Sequence, residues 1–259
     1  MCYDVKYLTK KLADYEKRYG DIADLTEIAK KIDPAYQPHP KLYYHTNAFT
    51  HEKLPVIKSG EQVVDFISWG LIPGWVKNSQ DALSIQQKTL NARGEELFDK
   101  PSFRSAAQSQ RCIIILDGFY EHHHRLKKTF PYHIQLKDRQ PLSVAGLWDL
   151  WTDPASGEQK QTVTIVTTRG NELMSEIHNH PELAGPRMPV ILDKDTEGFW
   201  IEEKPFSQKQ VDSFLRPFES SQMEAYPVRA LRGKNGIGNR VEATQPFQYP
   251  ELQKGLFDM

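Results

Sequence analysis

The sequence predicts an α+β fold: one domain around a curved, mostly antiparallel β-sheet or barrel-like core, with helices at the periphery. Three observations predict it. Segments of alternating or continuous β-branched and aromatic residues recur between residues 42 and 192, while helical periodicity falls mostly toward the two ends. No internal repeat and no Gly/Ser-rich linker divides the 259 residues, a length that buries a substantial core as a single domain over 1–259.

Taken in order, residues 7–32 are polar and carry Leu8, Leu12 and Tyr15 at helical spacing, which predicts one or two surface helices broken near Gly20. The Pro-rich stretch 33–40 is a loop. LYYHTNAF (42–49), LPVIK (54–58) and QVVDFISWGL (62–71) then read as strands. A turn is expected at Asn91 or its neighbours, with a short helix begun by Glu95, Glu96 and Leu97. RCIIILDGFYE (111–121) is the strongest buried strand, because Cys112 to Leu116 are continuously apolar between polar flanks. PYHIQL (131–136), PLSVAGLWDLW (141–151) and QTVTIVTT (161–168) follow as strands, the last two joined by a hairpin at DPASG (153–157). MPVIL (188–192) is one further strand. The tail from 194 to 259 reads as helix and loop, with GKNGIGN (233–239) a flexible turn.

Composition narrows the function. No apolar run reaches membrane-spanning length, so no membrane association is expected. Two cysteines, Cys2 and Cys112, make no disulfide scaffold, and the N-terminus lacks a signal peptide's apolar stretch, so a cytoplasmic protein with reduced thiols is expected. The net charge of −1 argues for no polyanion partner by itself. Residues 86–140 nevertheless hold ten Lys or Arg against six Asp or Glu, a local basic excess.

Four groups could carry chemistry. Cys2 follows Met1, and removal of Met1 leaves an α-amine and a thiol on adjacent carbons. Free, they titrate at about 7.7–8.0 and about 8.5, so an appreciable fraction of both is nucleophilic at neutral pH. A 1,2-aminothiol condenses with an aldehyde to an imine and then a thiazolidine; the competing reading is a chance cysteine at a frayed end. Glu121 ends the apolar strand, where burial can fit a carboxyl for acid–base work, although strand-end acids are also commonly solvated. His122, His123 and His124 follow it. Adjacent strand residues face opposite ways, and neither H-E-x-x-H nor C-x-x-C occurs, so no metal and no cofactor is expected. His178, with His180 as its near competitor, precedes a turn and strand and is a candidate proton donor, with Arg187 close by for an anion. Asn91 and Arg93, with Trp69 and Trp75, supply groups for phosphate contact and base stacking, although either Trp can equally be core.

Cys2 after Met1, WGLIPGW (69–75), LNARGE (90–95), RCIIILDGFYE, AGLWDLW (145–151) and IH…PRMPVIL (177–192) together resemble, in the same order, the SRAP family of SOS-response-associated peptidases or abasic-site shielding proteins. The motif-bearing part is 2–192. The resemblance implies a DNA-damage protein that binds single-stranded DNA and crosslinks its N-terminal cysteine to the ring-opened aldehyde of an abasic site; a monomer is expected. It implies Cys2 as nucleophile, Asn91 positioning it, Arg93 on phosphate, Glu121 as acid/base and His178 as proton donor. Three departures stand out. The chain begins Cys2-Tyr3-Asp4 where Cys-Gly-Arg is common, which removes a basic contact and predicts that Asp4 repels phosphate. Phe49 in HTNAF replaces a usual proline, and NHPELAGP (179–186) is inserted between His178 and Arg187. The choice of His178 over His180 rests on the preceding isoleucine. Competing functions are a cysteine peptidase with Cys2 as N-terminal nucleophile, including autocatalytic removal of Met1, and a non-catalytic single-strand-binding module.

Overall fold

The computed structural model describes residues 2–8, Arg18, 42–61 and 64–253. Apart from residues 7, 8 and 18, the segments read as helix over 7–32 and loop over 33–40 lie outside the described residues.

The described strands of the first half are β1 (Asp4–Tyr7), β2 (Tyr43–Asn47), β3 (Lys53–Lys58), β4 (Val64–Trp69), β5 (Asn91–Arg93), β6 (Arg111–Leu116) and β7 (Gly118–Arg125). The second half adds β8 (Lys128–Leu136), β9 (Leu142–Thr152), β10 (Gln159–Arg169), β11 (Arg187–Pro189), β12 (Ile191–Leu192) and β13 (Met223–Pro227). The described helices are α1 (Ser79–Lys88), α2 (Pro101–Ser109), α3 (Glu172–Ile177), α4 (Lys194–Trp200), α5 (Gln208–Asp212) and α6 (Pro250–Gln253).

Strands β10, β4, β3, β6 and β9 pair in that order and β9 pairs back to β10, so five strands close a barrel. Every pairing in the ring is antiparallel except β10 with β4. A second, fully antiparallel sheet runs β13-β8-β7-β1-β2. The α+β, barrel-like reading of the sequence holds.

The long apolar run explains how the two sheets join. Residues 111–121 do not form one strand: the chain breaks at Asp117, and β6 belongs to the barrel while β7 belongs to the second sheet. Gly118 stands at the break because a Cβ there would lie 2.6 Å from His133 Nε2 and 2.8 Å from the Ile134 carbonyl oxygen. Within β6 both faces are buried. Cys112, Ile114 and Leu116 enter the core shared with Val5, Tyr7, Trp69 and Phe119, whereas Ile113 and Ile115 pack under the helices with Phe103 and Trp200. A strand buried on both sides must read as continuous rather than alternating.

Three further local expectations need correction. The expected turn is a bend at Leu90, and Asn91 itself begins β5, which pairs in parallel with β10; the helix expected from Glu95 is a 3-10 turn over Gly94–Glu96, and α2 starts at Pro101. MPVIL is two strands, β11 on β10 and β12 on β9, with Val190 between them accepting from Ala145 N–H and donating to Val166 O. The tail is more than helix and loop, because β13 extends the second sheet alongside β8. Arg111 secures the tail to the barrel by donating to the carbonyls of Trp200, Glu202 and Lys204.

Candidate active site beside the N-terminal strand

Residue 2 leads into β1, which is held between β2 and β7. Asp4 pairs with Tyr120, so Glu121 stands on β7 one residue beyond that pairing, on the side of Cys2. Asn91, the first residue of β5, approaches from the barrel and its Nδ2 donates to the Cys2 carbonyl oxygen at 2.8 Å. Its Oδ1 is buried with no partner among the described residues. His178 caps the C-terminus of α3 and brings Nε2 to 3.9 Å from Glu121 Oε2. Elements far apart in sequence thus bring Cys2, Asn91, Glu121 and His178 together.

Burial tunes each titratable group here. Glu121 is 4% exposed, and loss of hydration pushes its carboxyl up to about 7. Cys2 is 1% exposed; burial raises its thiol well above the ordinary range, and the nearby Glu121 adds to the shift. The free-thiol expectation is therefore corrected: this sulfur stays protonated at neutral pH until a base takes its proton. Burial depresses His178 to about 4, so the imidazole is neutral near pH 7. Nδ1 lies 3.0 Å from the Arg187 N–H and 3.1 Å from the Arg187 carbonyl oxygen; in the tautomer that accepts from the N–H, the ring proton sits on Nε2, the nitrogen facing Glu121. His180 is elsewhere: its ring packs edge-on to His124 at 4.5 Å and its Nδ1 accepts from Glu182 N–H. Among the described residues no group of three or more His, Cys, Asp or Glu is arranged to hold a metal.

A cavity of about 370 Å³ opens beside His178, lined by Arg93, Arg169, Arg187 and residues 183–186 of the inserted loop. Arg187 is already paired, with Nη2 at 2.8 Å and Nη1 at 3.4 Å from the Glu95 carboxylate. Burial alone would raise the Glu95 carboxyl, but the bonds from Arg187 outweigh it and hold the pKa low. Arg93 contacts Glu96 at 3.2 Å and keeps its side chain 47% exposed. Arg169 was missed by sequence reasoning. It extends β10 just past QTVTIVTT, in register with Arg187, and a basic residue at the end of a long apolar strand was the available signal.

The two tryptophans divide. Trp69 is fully buried and its Nε1 donates to Leu90 O at 2.8 Å, so it is a core residue and the expected role in base stacking is corrected. Trp75 is 54% exposed and has a ring face to offer. Phe49 is exposed and stacks loosely on Tyr3, with centroids 5.3 Å apart, at the edge of the Cys2 site. Asp4 does not face solvent. It is buried between His45 Nε2 at 2.8 Å and Arg232 Nη2 at 2.9 Å, and a carboxylate so paired does not repel phosphate as the sequence suggested.

No helix among the described residues is long and apolar enough to cross a membrane. Residues 7–234 match the family model described as SOS response associated peptidase (SRAP). The chain is similar to two Bacillus subtilis relatives. It is 40% identical to the abasic site processing protein YoaM over 216 residues, 82% of this chain and 88% of that one. It is 42% identical to the abasic site processing protein YoqW over 166 residues, 64% of this chain and 69% of that one. Among solved structures, a crystal structure of a protein from Bacteroides thetaiotaomicron superposes with a TM-score of 0.80 at 34% identity, covering 95% of this chain and all of that one.

Proposed function

The chain belongs to the SOS response associated peptidase (SRAP) family, and from that premise we propose that it processes abasic sites in single-stranded DNA by capturing them covalently on Cys2. Abasic-site processing is what its relatives are named for. The observation that carries the covalent form of it is the hydrogen bond from Asn91 to the Cys2 carbonyl, which fixes residue 2 against a buried Glu121.

The chemistry follows from the protonation states. An abasic deoxyribose is mostly a closed hemiacetal, and opening it removes the C1′ hydroxyl proton and protonates the ring oxygen. Glu121, near half-protonated at pH 7, suits that exchange, and the Nε2–H of His178 can hydrogen-bond the departing oxygen. With Met1 removed, the Cys2 amine adds to C1′, and the resulting carbinolamine loses its hydroxyl as water, with a proton from Glu121, to give the iminium ion. The Glu121 carboxylate then takes the thiol proton and Sγ bonds to C1′, which leaves the ring nitrogen as a neutral N–H. The sum is aldehyde plus aminothiol giving thiazolidine plus one water. C1′ is then saturated and no longer acidifies C2′, so the β-elimination that cuts an abasic strand is suppressed.

The test mixes the protein with a single-stranded oligonucleotide carrying one abasic site and separates the products under denaturing conditions. A Cys2-dependent adduct supports capture. Cys2-dependent peptide cleavage without an adduct supports the peptidase, and salt-sensitive reversible binding alone supports the binding module.

A further inference from the structure

Residues 229–240, RALRGKNGIGNR, hold four basic side chains, Arg229, Arg232, Lys234 and Arg240, and no acid. The segment is built into the fold. Asn239 Oδ1 accepts the N–H groups of Tyr44 and His45 at 2.8 and 3.2 Å, and its Nδ2 donates to Leu42 O at 2.9 Å. Gly233 and Gly238 adopt φ of +78° and +63°, the left-handed turns that double the chain back onto β2. A Cβ on Gly236 would lie 2.5 Å from the backbone carbonyl carbon of Arg232, so the loop closes tightly on itself.

Arg232 is the residue that ties this loop to the candidate active site. It meets the buried Asp4, two residues from Cys2, at 2.9 Å, while His45 holds the other carboxylate oxygen. A guanidinium has five N–H donors in a fixed fork, and this one keeps its side chain 38% exposed, so it is both aimed and open to an external anion. Lys234 and Arg240, on the same loop, are exposed, and their side chains have no described partner. Burying a carboxylate is costly unless it is paired; here the pairing also fixes the direction of a surface cation.

We propose that residues 229–240 form a second phosphate-contacting element of the DNA site, in which Arg232, aimed by Asp4, and the neighbouring Lys234 and Arg240 hold the sugar-phosphate backbone of single-stranded DNA beside the nucleotide that Cys2 captures. The proposal rests on the reading that the chain acts on DNA. It places the backbone on the β1–β2 side of Cys2, opposite in kind to the cavity lined by Arg93 and Arg169, where the inserted loop forms a wall.

The test measures binding of an intact single-stranded oligonucleotide, which cannot crosslink, by fluorescence anisotropy across a salt series. Each lost phosphate contact lowers the slope of log affinity against log salt by about 0.7. Arg232→Ala is expected to show that drop with a three- to tenfold loss of affinity at low salt, and Arg232→Lys to recover most of both. Because losing Arg232 leaves Asp4 with His45 as its one described side-chain partner, circular dichroism checks that the variant folds. The Lys234→Ala/Arg240→Ala double variant, which breaks no described contact, carries the same expectation independently. Wild-type affinity and slope in the double variant and in folded Arg232→Ala overturn the proposal. Absence of binding by the wild-type protein sinks the DNA reading together with it, whereas wild-type binding with unmoved variants sinks this inference alone.

Discussion

Asn91 Nδ2 and the Cys2 carbonyl oxygen are joined by a 2.8 Å hydrogen bond that spans 89 residues of sequence and links the barrel to the residue that leads into β1. A terminal residue frays unless something holds it, and attack on C1′ demands that amine and thiol arrive together. Asn91→Ala is expected to lower the crosslinking rate at saturating DNA by about ten- to a hundredfold. Its cost in folding stability is about 1 kcal/mol. Single-turnover crosslinking and urea unfolding of the same sample separate the two effects, and equal loss of both contradicts a positioning role.

Glu121 and His178 bias stability in opposite directions with pH. Burial raises Glu121 from 4.5 to about 7, so between those values the folded state holds a proton the unfolded chain has lost, and stability falls as pH rises. Burial lowers His178 from 6.5 to about 4, so the unfolded chain binds the extra proton there, and stability rises with pH. The two slopes oppose each other across the shared window. Glu121→Gln should unmask the rising limb between pH 4 and 6.5 and be more stable than wild type at pH 8, by on the order of 3 kcal/mol. His178→Gln should show the falling limb. Denaturant unfolding across this range checks both signs, and parallel curves for the two variants contradict the account.

Arg187 lines the cavity next to His178, yet its charge is held by Glu95. Glu95→Gln leaves the geometry of a hydrogen bond but removes the competing charge. The expected result is about two- to tenfold tighter binding of single-stranded DNA at low salt, fading at high salt as screening takes over. Tighter binding that persists unchanged at high salt points instead to a rearranged cavity.

Trp69 and Trp75 stand six positions apart and should separate cleanly in experiment. Trp69→Ala removes a fully buried indole and is expected to cost about 3–5 kcal/mol of stability. Trp75→Ala should leave unfolding unchanged and weaken DNA binding by about 1–3 kcal/mol, the worth of one stacked base. Unfolding curves and anisotropy titrations of both proteins decide it; a Trp75 variant that binds like wild type removes that residue from the DNA surface.

What the sequence made legible followed from local rules. Strands such as β3, buried continuously from Leu54 to Lys58, and the hairpin between β9 and β10 could be read from their runs of β-branched and aromatic residues and the turn residues between them. The doubly buried run at 111–121 was visible, but the bend at Asp117 was not, since it depends on His133 and Ile134 arriving from another strand. Exposure of a tryptophan is likewise a tertiary property, which is why WGLIPGW could not say which of its two rings was core. Asp4 was misread for the same reason: its partners His45 and Arg232 lie 41 and 228 positions away, and no spacing rule connects them. Cys2, Asn91, Glu121 and His178 could be singled out in the sequence and given roles by the resemblance, whereas the protonation states of Cys2, Glu121 and His178 came only from burial.

The most direct measurement of covalent capture compares wild type and Cys2→Ala on a single-stranded abasic oligonucleotide, with and without borohydride, under denaturing conditions. A thiazolidine needs no reduction, so wild type should give the same adduct yield in both arms. Cys2→Ala keeps an α-amine but no thiol, so it should yield an adduct only when borohydride traps the imine, and should nick the strand when it is absent. A wild-type adduct that appears only with borohydride, or one that survives unreduced without Cys2, contradicts the account.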